Sequence, residues 1–227
     1  MQAPAPTGRP NDSLTDSTRS VTLGAMLTLD EIRTALRQVQ HDHNAFAPHA
    51  SQAAVAMILA DGAQGIEVCF IRRAERVGDP WSGQVAFPGG RASATDADAF
   101  AVAERETWEE IGVRLAPHHR VGSLPMRPIE RNARRDSLTL WPFVYHVGAA
   151  EQAQATARLP HEVASVFWVP VRHLFDVNAV TELEYPLGVT ATTFPGIQFG
   201  EHVIWGLTLR VLASFAEVIQ RTLPALG

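Results

Sequence analysis

Residues 88–113 read PGGRASATDADAFAVAERETWEEIGV, and this run leaves the backbone few choices. Pro88-Gly89-Gly90 halts any preceding strand. Asp96 or Asp98 can cap the first turn of a helix, and Gly112 ends it. The helix carries Arg105, Glu106, Glu109 and Glu110. At about 100° per residue the three glutamates fall within a stripe roughly 100° wide. Like charges at that spacing repel and destabilise an isolated helix. A solvated acidic face is the ordinary reading of such a stripe. Arg105, Gly112 and the FPGG run at 87–90 favour another: carboxylates gathered for a divalent cation, since magnesium takes hard oxygen ligands and completes its shell with water and substrate phosphates.

The remaining composition narrows the chemistry. The chain has 227 residues, 46% hydrophobic and 19% charged, which suits one globular domain with a sizeable core. A net charge of −5 argues against a nucleic-acid polymer as the main partner. All 19 basic residues are arginine. That excludes a lysine Schiff base, a phosphate loop ending in Gly-Lys and a lysine general base, so phosphate contacts fall to arginine, backbone N–H groups or metal. Cys69, alone and inside an apolar run, reads as a buried core thiol. It is consistent with a reducing cytoplasm, the expected location. No stretch approaches the roughly 18 continuous apolar residues of a membrane span. The Pro-, Ser- and Thr-rich residues 1–20 read as a flexible tail rather than a secretory signal, leaving 21–227 as a single domain.

Along that domain, Leu29, Ile32, Leu36 and Val39 predict a helix over 28–40, opened by a Thr28/Glu31 capping box. This helix either packs on the domain or mediates a homodimer. Residues 53–60 and 66–72 read as strands around a glycine turn, and 84–87 as a short strand. Further strands are expected at 121–126, 139–147 and 163–169, with a short helix over 171–175. Residues 181–185 and 192–199 read as short strands or loops. The intervening 127–136 reads as a basic loop, and 204–223 as a closing amphipathic helix. His41-Asp42-His43 reads as an exposed connector. This mixture indicates an α/β or α+β layer arrangement.

The 90–113 segment resembles the signature of the Nudix hydrolase family: a glycine, a glutamate after five residues, and after seven more an RE-U-X-EE-X-G-U run, where U is apolar. Gly90, Arg105, Glu106, Glu109, Glu110, Gly112 and Val113 match. One extra residue separates Gly90 from Arg105, and no glutamate stands between them; Asp96 is the nearest acidic substitute. Thr107 occupies a usually apolar position. A longer loop after FPGG is a feature of the family's coenzyme A-hydrolysing branch. That branch also has an upstream LLTXRS, arginine, glycine pattern. Arg73, Gly83 and Gln84 of CFIRRAERVGDPWSGQVAFPGG are similar to it, with Ala74 in place of serine, the spacing from Arg73 to Gly83 one residue long and Arg76 near the internal arginine.

The resemblance implies an α/β/α sandwich with a mixed central sheet. It implies Mg²⁺- or Mn²⁺-dependent hydrolysis of a nucleoside-linked diphosphate, with coenzyme A as the leading substrate. ADP-ribose, NADH and nucleoside triphosphates are the alternatives within the family, and a non-catalytic nucleotide-binding module lies outside enzymatic function. It implies Glu106, Glu109, Glu110 and the Gly90 carbonyl as metal ligands and Arg105 as their orienter. The base is a box glutamate or an acid from a later loop, for which Glu162 is the leading candidate, with an ordinary solvated residue as the alternative. Arg73, the loop residue Trp81, and Arg134 and Arg135 of the basic patch at 127–135 are the candidate substrate contacts. Trp141, on an alternating strand, reads as core.

Overall fold

A computed structural model describes residues 27–39, 46–49, 51–79, 81–131, 136–187 and 190–227. The expected tail at 1–20, the His41-Asp42-His43 connector, and Arg134 and Arg135 lie outside these. The architecture is organised by β1 (Gln52–Gly62), an eleven-residue strand with neighbours on both edges. One edge pairs in parallel with β7 (Asp136–Val147) from Gln52↔Thr139 to Ala60↔Val147. The other is shared. Its far end forms an antiparallel hairpin with β2 (Gly65–Arg73), and its near end pairs with β4 (Gly89–Arg91). The short β3 (Val85–Ala86) and long β8 (Val163–Pro170) flank β2, while β5 (Arg120–Ser123) and β6 (Arg127–Arg131) pair with β7. The result is a mixed eight-stranded sheet.

Alternation along β1 sorts the core into two faces. Ala54, Ala56, Ile58 and Ala60 join Val102, Ala103 and Ile111 of α2 (Ala99–Ile111) in one apolar layer. The alanines are small, so α2 can approach the sheet closely. Met57 and Leu59 point the other way, into a layer with Leu212 and Phe215 of α5 (Gly206–Val218) and Ile32 and Leu36 of α1 (Leu29–Leu36). Helices therefore cover both faces, the expected α/β/α sandwich.

The N-terminal helix opens with the expected capping box: Thr28 accepts from the Glu31 N–H, and Glu31 accepts from the Thr28 N–H at 2.7 Å. Its buried Ile32 and Leu36 pack it on the domain. Asp98, rather than Asp96, caps α2, accepting from Ala101 at 2.7 Å. Gly112 (φ 74°) ends it.

Three expectations are corrected. Residues 127–131 are not loop but strand, running antiparallel to 136–140, because β7 starts three residues before the expected 139 and extends past the edge of β1. The 181–185 and 192–199 segments are full strands: β9 (Val180–Leu187), β10 (Thr190–Phe199) and β11 (His202–Trp205) form a second, antiparallel sheet. That pairing claims 202–205, so the closing helix begins at Gly206. A short helix α3 (Ala149–Gln154), not foreseen, precedes β8, and the expected short helix after β8 is α4 (Val171–Leu174).

Candidate active site

The site forms where α2 passes behind β4. At Gly89 (φ 152°) an added Cβ would collide with the Ala54 carbonyl and the Val55 backbone. At Gly90 it would overlap the Glu106 carboxylate. Only glycines allow so close an approach of helix, turn and sheet. Hydrogen bonds from Ala56 N–H to Pro88 and from Ala92 N–H to Gln52 flank the Ala54↔Gly90 pair. By antiparallel alternation Gly90 then turns its polar groups toward β1, and Gly89 turns its own away. The Gly89 N–H accordingly donates to Glu110 Oε2 at 2.9 Å. Gly89, rather than the expected Gly90, presents its backbone to the carboxylates.

Glu110 is 3% exposed. Burial pushes its carboxyl up to about 8; the Gly89 N–H and nearby Arg73 oppose this, while Glu106 and Glu162 add to it. Glu106 is also raised, chiefly by burial, with Arg105 opposing and Glu109 and Glu162 reinforcing. Glu109 is the outermost of the three, its side chain 45% exposed.

Arg105 binds these groups into one network. It forms a two-pronged pair with Asp96, Nε to Oδ1 at 3.0 Å and Nη2 to Oδ2 at 2.9 Å. Nη1 reaches Glu106 at 2.8 Å and Glu109 at 3.2 Å, and Nη2 also donates to the Arg91 carbonyl at 3.1 Å. Arg105 and a further bond from the Ser93 N–H at 2.7 Å hold the Asp96 carboxyl below the usual range, against the effect of its burial. The extra residue before Arg105 thus lies in a loop whose buried acid clamps the arginine. Thr107, at its usually apolar position, is fully buried and satisfies its hydroxyl on the Ala103 carbonyl at 2.7 Å.

The donors at hand are carboxylate and backbone oxygens, a set suited to Mg²⁺ or Mn²⁺. Buried Glu110 and partly buried Glu106, both held above their normal range, form a place where a cation would relieve desolvation and repulsion. Among the described residues no three His, Cys, Asp or Glu side chains already close on one point. Arg105 holds Glu106 and Glu109 instead.

A family model for the NUDIX domain matches residues 50–186, which takes in β1, the glycine turn, α2 and β8. The chain belongs to the Nudix hydrolase family. The mouse "Mitochondrial coenzyme A diphosphatase NUDT8" is 29% identical over 162 residues, 71% of this chain and 73% of that protein. The human protein of the same description is 32% identical over 145 residues, 63% of this chain but only 58% of that protein. A "MutT/nudix family protein from Enterococcus faecalis" has the same fold, with TM-score 0.54 and 17% identity across 88% of this chain and 75% of that one.

On this Nudix scaffold the other expected residues lie as follows. Arg73 Nη2 bonds Asp79 Oδ2 at 2.7 Å, and Asp79 Oδ1 accepts the Trp81 N–H at 2.9 Å, so one acid links two of the expected substrate contacts. Burial raises the Asp79 carboxyl, but the bonds from Arg73 and Trp81 outweigh it and leave it below the usual range. Arg73 Nε is buried with no hydrogen-bond partner. Glu162 stands in the turn just before β8, half-exposed, 3.8 Å from both Arg76 Nη2 and His161 Nε2. Its carbonyl accepts from the Ala74 N–H at 2.8 Å. Arg127, part of the expected basic patch, donates from Nε to Ser214 on α5 at 2.8 Å. Trp141 is core, with Nε1 bonded to Gln52 at 2.7 Å, and Cys69 is fully buried. The sequence carried no signal for the clamps Asp96–Arg105 and Asp79–Arg73, because each joins residues six to nine positions apart through an irregular loop.

Proposed function

We propose that this Nudix hydrolase cleaves the diphosphate of coenzyme A, releasing phosphopantetheine and 3′,5′-ADP, with Mg²⁺ or Mn²⁺ bound. The observation that carries the reaction type is the pair of buried Glu110, bonded to Gly89, and partly buried Glu106, braced by Arg105. The substrate rests on similarity to the two coenzyme A diphosphatases and on the Arg73-to-Gly90 segment.

In this reading Glu106, Glu109 and Glu110 hold the metal, with backbone at Gly89-Gly90 as the wall. A bound Mg²⁺ or Mn²⁺ held there would supply positive charge to the diphosphate oxygens and to a nearby water. Arg105 keeps Glu106 and Glu109 in place through its pair with Asp96. Glu162 removes a proton from the attacking water. Arg73, with an unpaired Nε and its other arm fixed by Asp79, meets a phosphate. Trp81 lies against the nucleotide, and Arg134 and Arg135 meet the 3′-phosphate.

A hydrolysis panel in Mg²⁺ or Mn²⁺ tests the reading, with coenzyme A, dephospho-coenzyme A, ADP-ribose, NADH and nucleoside triphosphates. Coenzyme A should be turned over best. Strong turnover of another member with none of coenzyme A would reject the substrate. Arg134→Ala should raise KM for coenzyme A more than for dephospho-coenzyme A, and equal effects would remove the 3′-phosphate contact.

A further inference from the structure

The segment 155–162 joins two remote parts of the molecule. The last carbonyls of a helix have no partner within it. Here the Thr156 N–H donates to the Ile111 carbonyl at 3.0 Å and the Arg158 N–H to the Glu110 carbonyl at 2.9 Å. The segment then turns, with the Glu162 N–H on the Leu159 carbonyl at 2.7 Å, and its Glu162 carbonyl accepts from Ala74, the residue that follows β2. The end of the glutamate helix is thus capped by the piece of chain that delivers Glu162.

The Arg158 side chain lies over this junction. Its guanidinium stacks on the Trp108 ring at 4.3 Å, and its stem crosses Gly112, where an added Cβ would stand 2.7 Å from Arg158 Cδ. Arg114 stacks on the same ring at 3.7 Å. Trp108 sits two residues from Glu106 and Glu110 but on the opposite side of α2. Its ring therefore offers an anchor that does not intrude on the carboxylates.

We infer that Arg158 and Trp108 are positioning residues, which fix the 155–162 segment to α2 and so hold Glu162 at a set distance from Glu106 and Glu110. This rests on the role of Glu162 given above. A stacked guanidinium is planar and loses little freedom when ordered, so Trp108 and Arg158 lock the segment where two backbone bonds alone leave it free to fray. Displacement of a reacting group by about 1 Å can cost on the order of a hundredfold in rate.

Two measurements on the intact protein test this. Arg158→Ala should lower kcat about ten- to a hundredfold, with KM little changed. In a Glu162→Gln background the same substitution should have almost no further effect, because a residue that acts through another is silent once that other is gone. Trp108→Phe, which keeps a π face, should retain more activity than Trp108→Ala. Multiplicative losses in the double variant would overturn the inference. Independently of any substrate, hydrogen exchange of the metal-free protein should quicken over 155–163 in Arg158→Ala while the first turns of α2 are unchanged. Unaltered exchange in that segment would overturn the inference by itself. Failure of wild-type protein to hydrolyse the panel would instead reject the proposed function.

Discussion

Glu110 shows how a single side chain can hold the balance between folding and reactivity. Its carboxyl, raised to about 8 mainly by burial, binds a proton more tightly in the folded chain than in the unfolded one. Its contribution to stability is therefore fully present below about 4.5 and is lost as pH rises through about 8. Metal-free protein should melt at a lower temperature at pH 9 than at pH 5, and Glu110→Gln should flatten that slope. Parallel slopes in thermal melts with a chelator present would show that another group carries the dependence. Asp96 acts in the opposite sense, since its pair with Arg105 lowers it. Asp96→Asn should cost about 1–3 kcal/mol at neutral pH in denaturant unfolding, less than a fully buried pair because Arg105 is 28% exposed. The same change should reduce activity by freeing Arg105.

At the scale of elements, adjacent glycines in β4 should respond differently to the same substitution. The clash at Gly89 is with backbone, in a φ region that L side chains rarely adopt, so Gly89→Ala should cost several kcal/mol and lower the melting point. The clash at Gly90 is with the end of a flexible glutamate. Gly90→Ala should fold with near wild-type stability and lose kcat as Glu106 is pushed aside. Equal melting points for the two variants would contradict this distinction. The two glycines, expected as a turn, are strand residues paired with β1. The Thr28 box, the α2 stop at Gly112 and the alternation of β7 were legible in the sequence, because each is set by neighbours within a few residues. The strand at 127–131 was not, since it exists only by pairing with the extension of β7. Nor was β11, whose apolar residues fit a helix start equally well until β10 claims them.

For the whole molecule, the sequence located the glutamate-bearing helix α2 but not what surrounds it. Arg105 was visible as a brace, but its chief partner is Asp96, nine residues back across a loop. Glu162 was visible as a candidate, but not the capping of α2 by the segment that carries it. Tertiary pairings of this kind leave no periodicity to read. They do predict a global response to metal. A cation that binds only the folded site at a hundred times its Kd adds about 2.7 kcal/mol. Mn²⁺ should therefore raise the melting point of wild type by several degrees at pH 8 and that of Glu109→Gln much less. An equal rise in both would move the ion away from Glu109.

The wiring of β1 also sets an order of assembly. Its contacts with β2 and β4, and those of α2 with β1 and β4, join residues within one contiguous stretch, 52–111. Its parallel partner β7 lies some 87 positions downstream, and Glu162 follows later still. Loop closure over such distances is slow compared with local pairing. The half of the site that carries Glu106, Glu109 and Glu110 should thus acquire protection early in refolding and the Glu162 half last, a sequence that pulse-labelled hydrogen exchange can time. A chain emerging from synthesis would then pass through a stage with its glutamate helix and glycine wall in place but without Glu162, the proposed base.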